Sequence, residues 1–180
     1  DEAPRKMVRR YWRNDDERHA DRAKLQQIAK DILQAVPGAA ISADQAYREA
    51  DLAIDFCEDV DALPAKDIAR IVEIFEDAGA VAKISSIHVN GWFGDYDKLA
   101  MTRTALAEVF KIDIDTAAQS IAFVGDSPND SPMFAFFPHS FGVANVRDFD
   151  GQMTAEPAWV ASGQGGAGFA EFAQLLLAAQ

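Results

Sequence analysis

The sequence predicts an α/β protein in two parts, a small α+β unit over residues 1–95 and a parallel-sheet unit over residues 96–180. Two observations favour this division. The first part combines amphipathic helices with short apolar runs that are close enough to pair as antiparallel strands. In the second part, short apolar runs alternate with helical patterns, an order typical of parallel strands connected through helices.

The helices and strands of the first unit follow from the spacing of its apolar residues. The spacing predicts one helical face at Met7, Tyr11 and Trp12, and a longer helix from Leu25 to Val36 that ends at Pro37-Gly38. The other elements expected here are a short strand, a second strand, a helix and a third strand, at 39–42, 51–56, 64–79 and 80–89.

One dipeptide predicts a turn at residue 90. Asn90-Gly91 is typical of a type I′ turn, so a hairpin is predicted there with Trp92-Phe93 as its second arm. Residues 94–97 then form the boundary between the two units. Beyond it we expect helices and strands in the order helix 97–110, strand 121–124, helix from 128, strand 140–143, strand 159–161 and helix from 167.

Composition narrows the possible partners. The net charge is −12 and the isoelectric point is near 4.5, which argues against nucleic acid and anionic membranes as partners because both require clustered cations. A single cysteine, Cys57, cannot form an internal disulfide and is typical of a reducing compartment. With no signal peptide or membrane span in the pattern, a cytoplasmic protein is expected.

Residues 125–130, Gly-Asp-Ser-Pro-Asn-Asp, carry the strongest chemical signal. They follow Ile121 to Val124, which we expect to form a strand buried on both faces. Ligands bind at the carboxyl ends of such strands, and Asp126 with Asp130 would offer the hard oxygen ligands that Mg²⁺ prefers. The simpler alternative is that Asp130 only stabilises the first turn of a helix.

Lys98 is a second candidate. It begins a predicted helix, where a cation is unfavourable for the helix itself, and this suggests that its ammonium neutralises an anion. A helix and a return strand could bring it to the Asp126 corner.

Lys98 and residues 125–130 together resemble the third and fourth motifs of the haloacid dehalogenase (HAD) superfamily of phosphatases. The α+β unit that precedes Lys98 resembles a type IIB cap, as in Cof-type sugar phosphatases, sucrose-phosphate phosphatase and mannosyl-3-phosphoglycerate phosphatase.

This resemblance implies a Mg²⁺-dependent phosphatase that acts on a sugar phosphate or a similar small phosphomonoester through an aspartyl-phosphate. Asp126 would coordinate the metal, and Asp130 would orient Lys98 or a metal-bound water. Asn129 would help to hold the phosphate or Lys98. Residues 1–95 would be the cap that selects the substrate, and residues 96–180 the C-terminal half of a Rossmann-like catalytic core.

The family's first motif, an Asp-x-Asp after a buried strand that supplies the nucleophile, is not evident. Four Asp-x-Asp triplets exist, but each follows a polar stretch; they start at Asp59, Asp95, Asp113 and Asp148. Asp55 follows a strand but has Cys57 in place of the second aspartate. We therefore expect the nucleophile upstream of Asp1 and no turnover by this chain alone; the alternative is a non-catalytic binding or regulatory module.

Substrate choice would be determined by polar and aromatic groups of the cap. The candidates, each of which could instead serve turns or packing, are Asp44, Gln45, Arg48, His88, Asn90 and Trp92. Residues 163–168 match a Gly-x-Gly-x-x-Gly dinucleotide template, but only a short segment follows them, which favours a loop before the last helix.

Overall fold

Two β-sheets succeed one another along the chain in the computed structural model, which describes residues 9–178. The first sheet is antiparallel, with strand order β1-β2-β4-β3, where the strands are β1 Ala40–Ile41, β2 Asp51–Asp55, β3 Val81–Ile84 and β4 His88–Trp92. The second is parallel, with strand order β5-β6-β7, where the strands are β5 Ala122–Gly125, β6 His139–Gly142 and β7 Trp159–Val160. The predicted α/β class is confirmed.

Two amphipathic helices cover the first sheet, α1 Asp15–Ala35 and α2 Ala65–Asp77. Their apolar faces pack on β2 and β4 and form one core whose fully buried members include Ile32, Ile54, Ile71, Phe75 and Val89. Removing each such side chain from water contributes about 1.5–3 kcal/mol to folding. This core is the main source of stability in the first half of the chain.

The start of α1 differs from the prediction. Asn14 caps the helix by accepting from the Glu17 N–H at 2.9 Å, and the Glu17 carboxylate accepts from the Asn14 N–H at 3.1 Å. This capping box fixes the first helical residue at Asp15, so the predicted helical face through Tyr11 and Trp12 is wrong. Met7 lies outside the described residues.

The predicted hairpin turn at Asn90-Gly91 is also wrong, because both residues lie inside β4 and pair with strands on both sides. The turn is formed by residues 85–87, where the Ser85 N–H donates to the His88 carbonyl at 2.8 Å. Gly91 serves packing instead, since a Cβ atom there would overlap the Phe75 ring. The glycine was correctly singled out, but for the wrong physical reason.

Four helices accompany the parallel sheet: α3 Lys98–Ala105, α4 Ile114–Ala117, α5 Ser131–Phe136 and α6 Gly165–Ala178. α3 continues as a π-helical turn to Phe110, and a 3₁₀ turn at Pro128–Asp130 precedes α5. A small core of Ile114, Met133 and Phe137 lies between α4 and α5. None of the helices within residues 9–178 combines the length and apolarity needed to cross a membrane.

β5 was expected to be buried on both faces, and this expectation is wrong. Ala122 is exposed, and Phe123 and Val124 are only partly buried. The cause is its place at the edge of the sheet: among the described residues, β5 pairs with β6 alone.

The glycine-rich segment at residues 163–168 has a structural role. A Cβ atom at Gly168 would overlap the Gly163 carbonyl, where α6 packs against the loop that precedes it.

Candidate functional site

The end of β5 folds tightly around one carboxylate. Asp130 is only 1% exposed, and its Oδ2 accepts from the backbone N–H of Asp126 at 2.8 Å and of Ser127 at 3.4 Å. The Asp130 N–H donates in return to the Ser127 carbonyl at 3.0 Å. These bonds fix the turn that carries Asp126, so Asp130 determines the position of the Asp126 backbone.

Gly125 makes this turn possible. A Cβ atom at this position would lie 2.5 Å from Oδ2 of Asp130, far closer than van der Waals contact allows. Any side chain here would therefore displace the buried carboxylate. Position 125 therefore requires glycine, because the Asp130 carboxylate lies so close to its backbone.

Lys98, which follows the boundary between the two units, contacts the same carboxylate. It is the first residue of α3, whose N-terminus is capped by Asp97 through a 2.8 Å bond from the Ala100 N–H. The Lys98 Nζ forms an ion pair with Asp130 Oδ1 and lies 3.4 Å from Asn129 Oδ1. A buried carboxylate is costly without a charged partner, and the Lys98 ammonium is that partner for Asp130.

The Lys98 side chain is still 45% exposed, whereas that of Asp130 is 2% exposed. The ammonium therefore contacts the buried acid on one side and solvent on the other. A lysine held in this way presents positive charge to a ligand at a fixed position.

Asp126 and Asn129 lie beside this ion pair. The Ser127 hydroxyl is 3.2 Å from Asp126 Oδ1 and 3.2 Å from Asn129 Oδ1, so it connects the two side chains. Asp126 is partly exposed, and within residues 9–178 no lysine or arginine forms a salt bridge with it. The corner thus combines one neutralised acid with one acid whose charge remains available.

Both units border the space around this corner. Asp126 lines a cavity of about 560 Å³ together with Ser86 and Ile87, which belong to the β3–β4 turn. Lys98 and Asn129 line a neighbouring cleft of about 590 Å³, whose other polar or aromatic lining groups include Arg48, Asp51, Lys83, Asn90 and Trp92. The first unit therefore lies next to the Asp126 corner.

Three of the predicted substrate residues border the cleft that contains Lys98. Arg48 forms salt bridges with Asp44 at 2.8 Å and Asp51 at 2.6 Å, and its Nη1 is 3.4 Å from Asn90 Oδ1. The Trp92 indole N–H donates to the Tyr96 carbonyl at 3.0 Å, which ties the cleft wall to the segment before Lys98.

The remaining cap candidates lie elsewhere. His88 and Asp44 line a separate cavity of about 520 Å³ that Asn129 also borders. Both ends of the Gln45 amide bond to the backbone of β2, at 2.9 Å to the Asp51 carbonyl and 2.9 Å from the Ala53 N–H, so this side chain is structural. The Arg48 guanidinium, followed by the Ser42 hydroxyl, lowers the pKa of Asp44 to about 2.

Some lining residues were missed by the sequence analysis. Asn145 and Asp148 lie after β6 and border the cavity of Asp126. Since β6 is the parallel neighbour of β5, the rule that ligands bind at carboxyl ends of strands could have found them. Lys83 and Asp51 lie in the antiparallel sheet, and no motif in the sequence marks them.

The donor chemistry at the corner suits Mg²⁺ with one protein carboxylate. Asp126 provides a hard oxygen ligand, and Mg²⁺ characteristically keeps several waters and takes its other ligands from phosphate. Within residues 9–178, the three-residue group of metal-ligand side chains is located in the first unit and does not include Asp126. Asp126 could hold such an ion only together with water and ligand oxygens.

Comparison with known proteins identifies a shared fold. No protein-family model and no curated protein matches the sequence. The crystal structure of Thermoplasma acidophilum 0175 matches with a TM-score of 0.57 and 17% identity, over 84% of this chain and 60% of that one. The chain thus spans about three fifths of that structure's length, and the likeness shows the fold alone.

Two further solved structures match with lower scores. They are a trehalose-6-phosphate phosphatase related protein, with a TM-score of 0.46, 16% identity and coverage of 82% of this chain and 58% of that one, and the C-terminal domain of a Candida albicans trehalose synthase regulatory protein, with a TM-score of 0.48, 12% identity and coverage of 84% and 62%. Similarity at this level supports no conclusion about activity.

Proposed function

We propose that this chain is the cap and the C-terminal part of the core of a HAD-type, Mg²⁺-dependent phosphatase that acts on a sugar phosphate or a similar small phosphomonoester. The observation that carries the proposal is the contact between the Lys98 ammonium and the buried Asp130, whose other oxygen accepts from the Asp126 N–H. One acid thereby orients both a cation and the backbone of a candidate metal ligand.

The chemistry requires neutralisation of phosphoryl charge. Lys98 would bind a phosphate oxygen, Asp130 would hold the ammonium in position, and Asn129 would donate its amide N–H₂ to the same phosphate. Mg²⁺ held by Asp126 would supply further positive charge to the phosphate. A single electrostatic contact of this kind lowers the activation barrier by about 3 kcal/mol, which raises the rate roughly a hundredfold.

A nucleophilic aspartate is assigned to a further segment of the protein. The place of β5 at the edge of the sheet formed by residues 9–178 supports this assignment, because a further parallel strand on that side would end beside Asp126. The Asp-x-Asp triplets at Asp59 and Asp113 support it too, since the first lies in the loop after β2 and the second caps α4. Neither follows a strand of the parallel sheet.

The cleft next to Lys98 supports a small polar substrate. Its volume of about 590 Å³ lies within the range of small-molecule sites. Arg48 and Asn90 offer hydrogen bonds, and Trp92 offers an aromatic surface, a combination suited to sugar hydroxyls and ring faces.

The test is hydrolysis of p-nitrophenyl phosphate and a panel of sugar phosphates, with and without Mg²⁺, by the protein extended upstream of Asp1. We expect Mg²⁺-dependent turnover that falls at least about a hundredfold in Asp126→Ala. Asp61→Ala, which changes an exposed loop acid of another Asp-x-Asp triplet, is the matched control and should retain full activity.

Two outcomes would contradict the proposal. Equal activity of the two variants would remove Asp126 from the site. A folded extended protein that binds sugar phosphates without hydrolysing any of them would indicate a non-catalytic binding module.

A further inference from the structure

Three side chains of the first unit that could hold a metal ion meet in a group that does not include Asp126. Asp55 ends β2, His88 begins β4, and the two are directly opposite in the antiparallel register. Glu58 follows in the loop after β2. One ligand atom from each residue lies within 4.8 Å of the other two. This distance is compatible with a single bound ion.

The loop geometry holds Asp55 in place. Its Oδ1 accepts from the N–H groups of Cys57 at 2.9 Å and Glu58 at 2.8 Å, and its Oδ2 accepts from Asp59 at 2.8 Å. The chain therefore wraps around the carboxylate, which is 1% exposed, and returns Glu58 towards His88. Two carboxylate oxygens with about four acceptor positions still have capacity beyond these three bonds.

His88 provides independent evidence for a ligand. The residue is 5% exposed, and its Nε2 has no hydrogen-bond partner among the described residues. Nε2 lies 2.9 Å from Glu58 Oε2, but the two groups are not aligned for a hydrogen bond. A buried polar atom without a partner is unfavourable, so such an atom calls for an explanation.

We propose that Asp55, Glu58 and His88 form a site for a divalent transition metal such as Zn²⁺. Zn²⁺ accepts both imidazole nitrogen and carboxylate oxygen as ligands, and three protein ligands would leave a fourth position to water. Imidazole favours Zn²⁺ over Mg²⁺, which separates this site from the Asp126 corner. Bound metal would tie the β2 end, the following loop and the start of β4 together.

The site also borders a cavity shared with the second unit. His88 and Glu58 line the space of about 520 Å³ that Asn129 of the β5 corner also lines. Glu58 has a side chain that is 45% exposed, which gives an ion access from solvent. The competing explanation is that His88 and Glu58 contact each other directly, without any metal.

Isothermal titration of the full chain with ZnCl₂, in the presence of saturating MgCl₂, distinguishes the two explanations. We expect one Zn²⁺ per chain, with affinity reduced by more than about tenfold in His88→Ala and in Glu58→Gln, since even changes beyond the direct ligands cost about 10–100-fold. Co²⁺ should give a visible absorption band that both variants lose. His19→Ala, which removes an exposed histidine of α1, is the matched control.

The variants are chosen so that folding does not decide the result. Glu58→Gln changes a half-exposed side chain and keeps its shape, whereas Asp55 is left intact because it organises the loop. Absence of stoichiometric Zn²⁺ binding, or unchanged affinity in both His88→Ala and Glu58→Gln, would overturn the proposal. Loss of binding only in Cys57→Ser would also overturn it, because the neighbouring thiol would then be the ligand.

Discussion

The antiparallel and the parallel sheet differ in how well their strands are covered. In the antiparallel sheet, Ile54 and Val89 have no exposed surface beneath α1 and α2, and Ala53, on the opposite face, is also fully buried. In the parallel sheet, Ala122 of β5 is exposed and β5 has one neighbouring strand among residues 9–178. The candidate site lies at the end of β5, in the parallel sheet, whose strands are less buried. Its geometry depends on local contacts around Asp130 rather than on a large core.

This difference predicts that substitutions in the two sheets have separable effects. Changes under α2 should lower the free energy of unfolding of the first unit. Changes at the β5 corner should lower activity with little loss of stability. The predictions below test that separation.

The largest expected effect on stability is at Phe75. Phe75→Ala should lower the free energy of unfolding by about 3–5 kcal/mol, because it leaves a cavity at the centre of the first core. Denaturant unfolding followed by circular dichroism measures the change. Phe169→Ala, where the ring is 55% exposed, is the control and should change stability far less. Similar losses in the two variants would contradict the assignment of the core.

The second prediction concerns Gly125. In the upstream-extended protein, Gly125→Ala should lower kcat/KM by about a hundredfold, because the added methyl group displaces the Asp130 carboxylate that orients Lys98. Phosphatase kinetics, with thermal unfolding measured in parallel, gives both values. Gly166→Ala adds a methyl group where no atom lies within 4 Å, and activity should persist there.

A smaller effect on stability is expected at Gly91. Gly91→Ala should destabilise the first unit by about 1–3 kcal/mol, because its methyl group would overlap the Phe75 ring. The double variant Gly91→Ala with Phe75→Leu should recover part of this loss, since the smaller side chain leaves room for the methyl group. Additive losses in the double variant would show that the two positions do not contact one another.

The smallest effect concerns Asp44 and pH. Its pKa is about 2 in the folded chain against an ordinary 3.8, so its contribution to stability is present above pH 3.8 and disappears as the pH falls through about 2. Its side chain is 55% exposed, and solvent screening limits the contribution to less than about 1 kcal/mol. Asp44→Asn should therefore reduce the free energy of unfolding slightly at pH 7 and not at pH 2.

Local chemistry made part of the molecule predictable. The β5 corner was found because its residues are adjacent in sequence and because glycine and proline mark the turn. The fold class followed from the alternation of strands and helices. Lys98 could be singled out because a cation at the first position of a helix conflicts with the helix dipole.

The remaining features depend on contacts between distant residues. Asn90-Gly91 has the sequence of a tight turn, but the Phe75 ring beneath it explains the glycine. The burial of β5 was overestimated because an apolar run does not reveal how many strands flank it. His88 was considered as a substrate contact, while its position opposite Asp55 depends on strand register that sequence does not specify.

The most direct test of the proposed function is the effect of Lys98→Met on kcat in the upstream-extended protein. The substitution keeps an unbranched side chain that is one atom shorter and removes the charge. We predict a fall in kcat of about a hundredfold or more with an unchanged circular dichroism spectrum, because the phosphoryl charge loses its fixed cation. A folded Lys98→Met protein with the activity of the wild type would contradict the proposed role of the Lys98–Asp130 pair.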